Sequence, residues 1–384
     1  MITITTTDAL TEFCGRATGQ PFVTVDTEFL RERTYYAQLC LVQLALPGDA
    51  EGDAVLVDTL SEGLDLAPLW ALFADPAIVK VFHAARQDLE IFFHASGRIP
   101  TPLFDTQVAA MVCGYGEQVG YETLVRKICQ TGVDKSSRFT DWSRRPLSEK
   151  QKAYALADVT HLRQIYLTLA QQLAENGRAA WLQEELAALT SPETYTMRPE
   201  DAWKRVKTRS NSPRFLAVVQ ALAALRERLA QSRDIPRNRV FKDDVIVELA
   251  ATRPTRPEDL GKSRLLQRDA RRGELADAIL AAVQGAMELP KDQLPSVPEP
   301  RVRKPGQEAL SDLLRVLLKA RADAAGVAQK LIATSSDLDD IASGEESHVL
   351  SGWRHEVFGA DALRLRAGAI ALSADGDKVR IVEI

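Results

Sequence analysis

The sequence has 384 residues, of which 45% are hydrophobic and 26% are charged, and its net charge is −5. At about 150 residues per domain, this length predicts two or three domains that each bury a core. No apolar stretch is long enough to span a membrane, and residues 1–13 lack the basic-then-apolar layout of a signal peptide. We therefore expect a soluble, cytoplasmic protein. The cysteines are far apart and include no C-x-x-C pair, which argues against a disulfide framework or a zinc site.

Basic residues are concentrated in one segment of this acidic chain. Between Arg198 and Gly273, 19 lysines and arginines stand against 10 aspartates and glutamates, a local charge of +9. Such a segment is typical of a surface that binds phosphate groups. The alternative is a solvated helical surface on which the charges cluster by chance.

The first half of the chain alternates predicted strands and helices. Strands are predicted at residues 22–29, 37–45, 54–59, 78–83 and 103–105, and helices at 67–73 and 87–95. The first three strands have short connections, which indicates an antiparallel meander. The whole order predicts a mixed α/β sheet with helices on its faces.

A polar loop follows at residues 131–146, and it is rich in basic side chains that could guide a nucleic-acid backbone. These are Lys135, Arg138, Arg144 and Arg145. The loop ends where Ser148 and Gln151 form a capping box, which predicts the start of a long helix that runs to about residue 176.

The second half of the chain is predicted to be mainly helical. We place the first domain at residues 1–190, a helical domain at 200–290, a proline-rich linker at 291–305 and a third unit at 306–384. The third unit closes with a hairpin around Asp375 and Gly376. The two helical units are similar in size, so a diverged tandem repeat is possible.

Two carboxylates on the first predicted strand indicate a site. Side chains alternate along a strand, so Asp26 and Glu28 point to the same face. Two neighbouring anions repel each other and are costly to bury unless a cation lies between them, and a hard divalent metal is the natural candidate. A solvated edge strand is the alternative interpretation.

Two further positions in the first domain fit such a site. Asp88 stands near the start of the helix that follows the strand at 78–83, and ligands of open α/β sheets bind at that end of the strands. Tyr154 and Asp158 are four residues apart and lie on one face of the capped helix. Each position alone is explained by helix capping or by chance, but the combination favours a functional site.

The residues that carry this site resemble the three exonuclease motifs of the DEDD superfamily, in its tyrosine-bearing branch, and ribonuclease D in particular. The motif segments are VDTEFLRERTYYAQLCLVQLA, VFHAARQDLEIFF and YALADVTHLRQIY. The segment LAALRERLAQSRDIPRNRVFKDDVIVELA is similar to the HRDC module that ribonuclease D shares with RecQ-type helicases. The third unit is less similar to a generic HRDC domain, although GWRHEVFGADALRLRAG resembles the end of bacterial ribonuclease D chains.

The resemblance implies a ribonuclease H-like catalytic domain followed by two small HRDC-type domains. It implies two Mg²⁺ or Mn²⁺ ions held by Asp26, Glu28, Asp88 and Asp158. Asp26 would bridge both ions, and Tyr154 would orient the attacking water. The expected reaction removes nucleotides from the 3′ ends of tRNA precursors and other structured RNAs and releases nucleoside 5′-monophosphates.

Basic residues of the polar loop and of the helical domain, including Arg237 and Arg239, are expected to bind the nucleic acid. One alternative is a DNA exonuclease, because nothing in the motifs reads a 2′-hydroxyl. Another is an inactive RNA-binding scaffold, against which the intact set of acids argues. For Tyr121 and Trp142, stacking on bases competes with packing in the core.

Overall fold

The computed structural model describes residues 1–134, 136–137, 140–296 and 306–384. Two of the predicted nucleic-acid-binding residues, Lys135 and Arg138, lie outside the described residues, and so does most of the predicted linker. Among the described residues, no helix has the length and apolar character needed to cross a membrane.

A six-stranded mixed sheet forms the centre of the first part of the chain. Its strands are β1 (Ile2–Ile4), β2 (Phe22–Leu30), β3 (Gln38–Ala45), β4 (Ala54–Val57), β5 (Val79–Phe82) and β6 (Leu103–Asp105). The strand order is β1-β4-β3-β2-β5-β6. The pairs β2/β3 and β3/β4 are antiparallel, and the other three pairs are parallel. The predicted meander and the mixed α/β sheet are therefore confirmed, and β2 is a central strand rather than an edge strand.

Among the described residues, seven α-helices accompany this sheet, and a π-helix at Val125–Cys129 directly follows the fifth of them. The α-helices are α1 (Thr7–Ala17), α2 (Ala67–Ala74), α3 (Arg86–Ser96), α4 (Thr106–Val112), α5 (Tyr121–Leu124), α6 (Glu149–Glu175) and α7 (Ala179–Leu189). The predicted capping box begins α6: the backbone N–H of Gln151 donates to Ser148 Oγ, and the backbone N–H of Ser148 donates to Gln151 Oε1. Strand β1 and helices α1, α4 and α5 were not predicted.

The second part of the chain is helical and has a core of its own. After a 3-10 turn at Pro199–Arg205 come α8 (Pro213–Ser232), α9 (Arg237–Val240), α10 (Asp243–Thr252), α11 (Pro257–Gly261) and α12 (Gly273–Glu288). Apolar side chains of α8, α10 and α12, such as Leu222, Ile246 and Ile279, form this core and are fully buried. We call residues 199–289 the helical segment.

The third part packs on the first. It contains α13 (Gln307–Ala325), α14 (Gln329–Ile332), α15 (Ser335–Ser343), α16 (Gly352–Arg354), α17 (Ala360–Arg366) and the hairpin strands β7 (Ile370–Asp375) and β8 (Lys378–Glu383). Its buried residues, such as Leu314 and Phe358, belong to the same apolar cluster as the core around the large sheet. The rings of Trp181 and Trp353 stack at 4.5 Å between the two parts. The domain boundaries given above stay predictions.

Candidate active site

Three carboxylates converge where β2 meets α6. Asp26 and Glu28 lie on β2 and Asp158 lies on α6, and one carboxylate oxygen from each lies within 4.8 Å of the others. Thr24 shares their face of the strand, and its hydroxyl donates to the backbone carbonyl of Val159 at 2.8 Å. This bond ties α6 to the strand at the residue that follows Asp158. The predicted alternation along β2 therefore places Asp26 and Glu28 together, and the packing of α6 on β2 brings Asp158 to them.

The three acids are held together against their mutual repulsion. Burial raises the pKa of Asp26 well above its usual range, and Asp158, Asp88 and Glu28 raise it further. Burial, followed by Asp158 and Asp88, raises the pKa of Glu28 to about 9. Acids whose pKa values are raised by burial and by one another are typical of sites that bind cations or carry out catalysis.

The fourth predicted acid, Asp88, lies at the start of α3 and is 7% exposed. The hydroxyl of Thr27 donates to Asp88 Oδ1. Burial raises the pKa of Asp88 to about 7, although the bond from Thr27 acts in the opposite direction. Asp88 lies outside the group of three mutually close acids, but it is near enough to raise the pKa values of Asp26 and Glu28.

A tight turn between β5 and α3 sets the position of Asp88. Ala84 has a φ of 58°, in the left-handed region that is rare for a residue with a side chain. The backbone N–H groups of Ala84 and Ala85 donate to the two carboxylate oxygens of Asp105, at 3.1 and 2.8 Å. Asp105 also caps α4 through the N–H of Gln107. The capping role of Asp105, directly before a helix, had a signal in the sequence, but the strained turn had none.

Tyr154 is linked directly to the acidic cluster. Its hydroxyl donates a hydrogen bond to the carboxylate of Asp158, one turn further along α6. Burial and the nearby carboxylates raise the pKa of Tyr154 above its usual value, so the phenol keeps its proton at neutral pH. Trp142 is 2% exposed and packs 6.1 Å from the Tyr154 ring, which favours core packing over base stacking for this tryptophan.

A cavity of about 290 Å³ opens beside the cluster. It is lined by Asp26, His83, Gly120, Tyr121, Glu122, Thr123, Val133, Tyr154, Asp158 and Leu162. The hydroxyl of Tyr121 donates to the backbone carbonyl of Ala157, directly before Asp158, at 2.9 Å. Sequence reasoning left Tyr121 with a choice between packing and stacking, and the structure adds this contact with the helix that carries Asp158.

The predicted nucleic-acid-binding arginines fall into two groups. Arg145 binds Asp58 through two nitrogens, at 2.6 and 2.7 Å, and also donates to the carbonyls of Cys40 and Trp142. Arg237 binds the fully buried carboxylate of Glu227 in the same bidentate manner. The contacts of these two guanidinium groups favour structural roles. In contrast, the side chain of Arg144 is 84% exposed and Arg239 is exposed.

Comparison with known proteins identifies the family. A family model described as 3′–5′ exonuclease matches residues 1–174, and one described as HRDC domain matches residues 215–283. The ribonuclease D of Jannaschia sp. is 64% identical over 383 residues, which are 100% of this chain and 99% of that protein. The chain belongs to the ribonuclease D family.

Other ribonuclease D proteins agree over the full length. That of Acidiphilium cryptum is 48% identical, with coverage of 100% of this chain and 97% of its own. The crystal structure of Escherichia coli ribonuclease D, described as an exoribonuclease involved in structured RNA processing, matches with a TM-score of 0.79 at 31% identity and covers 95% of this chain and 98% of that one. The chain is thus a 3′–5′ exoribonuclease, as predicted, and the DNA exonuclease alternative is not favoured. The exonuclease family and the acidic cluster are both consistent with divalent metal ions.

Proposed function

We propose that this ribonuclease D family member trims the 3′ ends of tRNA precursors and other structured RNAs in the cytoplasm. The observation that carries the proposal is the convergence of Asp26, Glu28 and Asp158 beside a cavity of about 290 Å³. A single-stranded 3′ tail is narrow enough to approach such a site, whereas the folded body of an RNA has to remain outside it. The excess of basic residues in the helical segment supports the second half of this proposal, since phosphate groups need cationic partners.

We propose that the acidic cluster binds two divalent metal ions. Carboxylate oxygens are the donors that Mg²⁺ and Mn²⁺ prefer, and the raised pKa values of Asp26 and Glu28 mark a place where positive charge would relieve repulsion. Asp26, Glu28 and Asp158 would hold the ions, with Asp88 completing the set. When bound, a pair of such ions activates water and neutralises the charge that develops on the phosphate and on the leaving 3′ oxygen.

Tyr154 has an orienting role in this proposal. Its hydroxyl is held by Asp158, and its raised pKa keeps it protonated, so it acts as a hydrogen-bond donor rather than as a general base. Tyr121, which also lines the cavity, contributes by donating a hydrogen bond to the Ala157 carbonyl. Both phenols thus fix the turn of α6 that presents Asp158. Hydrolysis at this position would release a nucleoside 5′-monophosphate.

The helical segment is proposed to hold the body of the RNA while its 3′ tail enters the active site. Arg239 in this segment is exposed, and Arg144 is exposed on the loop that precedes α6. An exposed guanidinium can bind two phosphate oxygens at once, and the ion pair of Arg144 with Asp141 is long, at 3.5 Å. These two residues are therefore better candidates for RNA contacts than Arg145 and Arg237, which bind buried carboxylates.

The decisive experiment follows the trimming of 5′-labelled RNA that has a folded body and a 3′ tail. We expect stepwise shortening from the 3′ end with Mg²⁺, none with EDTA, and weaker activity on a DNA strand of matched sequence. The Glu28→Gln variant should be inactive, and Glu12→Gln, which changes an exposed glutamate on α1, is the matched control. Equal trimming in EDTA, or equal activity of the Glu28→Gln variant, would contradict the metal assignment.

A second experiment tests the role of the helical segment. The Arg239→Glu variant should raise KM on a tRNA-like substrate while leaving KM on a short oligonucleotide unchanged. Arg98→Glu reverses an exposed charge outside the helical segment, between α3 and β6, and controls for the change in net charge. If Arg239→Glu changed both substrates equally, this segment would have no separate role in holding RNA.

A further inference from the structure

The loop between β2 and β3 reaches into the helical segment. Within this loop, the side chain of Tyr35 packs against the apolar core of the helical segment, although Tyr35 lies between two strands of the large sheet. Its hydroxyl donates to the buried carboxylate of Glu227 and accepts from Arg237 Nη2 at 2.9 Å and from Gln231 Nε2 at 3.2 Å. The guanidinium of Arg237 also lies 4.6 Å from the centre of the Tyr35 ring, within range of a cation–π contact.

The backbone of the same loop is held as well. Asp234 Oδ1 accepts hydrogen bonds from the backbone N–H groups of Tyr35 and Tyr36, both at 3.0 Å. Asp234 follows the end of α8 and has a φ of 47°, a left-handed conformation that aspartate adopts more readily than most residues. The helical segment therefore binds both the side chain of Tyr35 and the main chain of the loop.

Both ends of the loop also contact α3, the helix that carries Asp88. Arg31 binds Glu90 of α3 at 2.7 Å, and the Tyr36 ring lies 4.7 Å from the ring of His94 on the same helix. The loop directly follows the strand that bears Asp26 and Glu28. It thus connects the helical segment to β2, which carries two acids of the cluster, and to α3, which carries Asp88.

We propose that Tyr35 is a positioning residue that fixes the helical segment relative to the active site, so that an RNA bound to both is presented at a constant distance. This inference rests on the proposed function, in which the helical segment holds the RNA body. Two linked binding sites reinforce each other only when their spacing allows both to be occupied at once. A substrate too short to touch the helical segment should not depend on Tyr35.

The test uses the full-length Tyr35→Phe variant, which keeps the ring and removes the hydroxyl. Tyr115→Phe is a matched control, because the Tyr115 hydroxyl likewise accepts from a glutamine, Gln172, and its ring likewise lies near a cation, Lys127. Asp234→Ala is a second variant, which removes the two main-chain contacts instead. For each variant, kcat and KM are measured on a tRNA-like RNA with a 3′ tail and on a short oligonucleotide, and small-angle X-ray scattering reports the overall dimensions.

For Tyr35→Phe and Asp234→Ala we expect KM on the tRNA-like RNA to rise by about tenfold, with kcat unchanged and with both constants unchanged on the short oligonucleotide. The scattering profile should show a more extended particle. Equal effects on both substrates, a loss of kcat on the short oligonucleotide, or no effect at all would overturn the inference. If Arg239→Glu also failed to raise KM on the tRNA-like RNA more than on the short oligonucleotide, the proposed function itself would be wrong. If Arg239→Glu showed this difference and the Tyr35 and Asp234 variants did not, only the role of Tyr35 would be wrong.

Discussion

The hydroxyl of Thr27 donates a hydrogen bond to Asp88, although Thr27 lies between Asp26 and Glu28 in the sequence. Side chains alternate along a strand, so Thr27 points away from the face that carries the two acids. One short strand thus presents two carboxylates directly and holds a third through the intervening threonine. The position of Asp88 beside the acidic cluster therefore depends on a residue that carries no charge.

Replacing this threonine should impair catalysis without unfolding the protein. Thr27→Val keeps the shape of the side chain and leaves the buried Asp88 carboxylate without this donor, which costs about 1–3 kcal/mol in comparable cases. We expect kcat to fall by about tenfold and the Mg²⁺ concentration for half-maximal activity to rise.

The control is Thr59→Val, which removes a hydroxyl that donates to the Leu39 backbone carbonyl at 3.0 Å rather than to an acidic side chain. This variant should lose some stability but keep both kinetic values. An unchanged Mg²⁺ dependence in Thr27→Val would show that the bond does not orient Asp88.

Removing one acid of the cluster should stabilise the metal-free protein. The pKa of Glu28 is about 9 in the folded state and near 4.5 when unperturbed. Between these values the folded state holds a proton that the unfolded state has lost, so the contribution of Glu28 to stability is present below about pH 4.5 and is lost as the pH rises towards 9. In EDTA at pH 8, about 3.5 pH units above the unperturbed value, Glu28→Gln should therefore raise the free energy of unfolding by up to about 5 kcal/mol.

Thermal unfolding with and without Mg²⁺ measures this effect. With saturating Mg²⁺ the sign should reverse, because the wild-type protein gains binding energy that the variant lacks. The melting temperature of the wild-type protein in EDTA should fall as the pH rises from about 5 to 9, and less steeply in the variant. A variant that is less stable than the wild-type protein in EDTA would contradict a repulsive cluster.

Local periodicity predicted the parts of the site that lie on one element. The period of two along β2 placed Asp26 and Glu28 together, and the spacing of four along α6 placed Tyr154 beside Asp158; the structure brings these groups together. The start of α6 followed from a capping box, which is formed by neighbouring residues. In each case the determining contacts lie within a few residues of each other in the chain.

Contacts between distant elements were not predictable in this way. The hydrogen bond from Tyr121 to the Ala157 carbonyl joins residues that are 36 positions apart in the sequence. The hydrogen bond from Tyr35 to Asp234 joins residues that are 199 positions apart. Arg145 was predicted to bind RNA because it is a basic residue in a polar loop. The structure pairs it instead with Asp58, which lies 87 residues away in the sequence. Such contacts depend on how distant elements pack in the folded protein, and local sequence patterns carry no information on that packing.

Tyr154→Phe tests the orienting role of this phenol. We expect kcat to fall by more than about tenfold, equivalent to about 1.4 kcal/mol of transition-state stabilisation, with little change in KM, because the hydroxyl contacts Asp158 within the cluster. The matched control is Tyr166→Phe on the same helix, whose ring packs against Phe22 and Phe104. A smaller loss in Tyr154→Phe than in the control would assign Tyr154 to packing.

Two adjacent arginines should respond in opposite ways to the same substitution. Arg145→Ala leaves Asp58 without its bidentate partner and frees the loop from the carbonyls of Cys40 and Trp142. Because both groups of this ion pair are mostly buried, at 25% and 13% side-chain exposure, we expect a loss of about 2–3 kcal/mol in the free energy of unfolding.

Arg144→Ala should change stability by less than about 0.5 kcal/mol, since its side chain is 84% exposed and its ion pair with Asp141 is long, at 3.5 Å. It should instead raise KM for RNA, and this effect should weaken at high salt because the contact is with phosphate. Denaturant unfolding and kinetics at two salt concentrations measure both effects. If Arg145→Ala left stability unchanged and altered only the salt-dependent KM, its contacts with Asp58 would not anchor the loop, and the original assignment of Arg145 to RNA binding would stand.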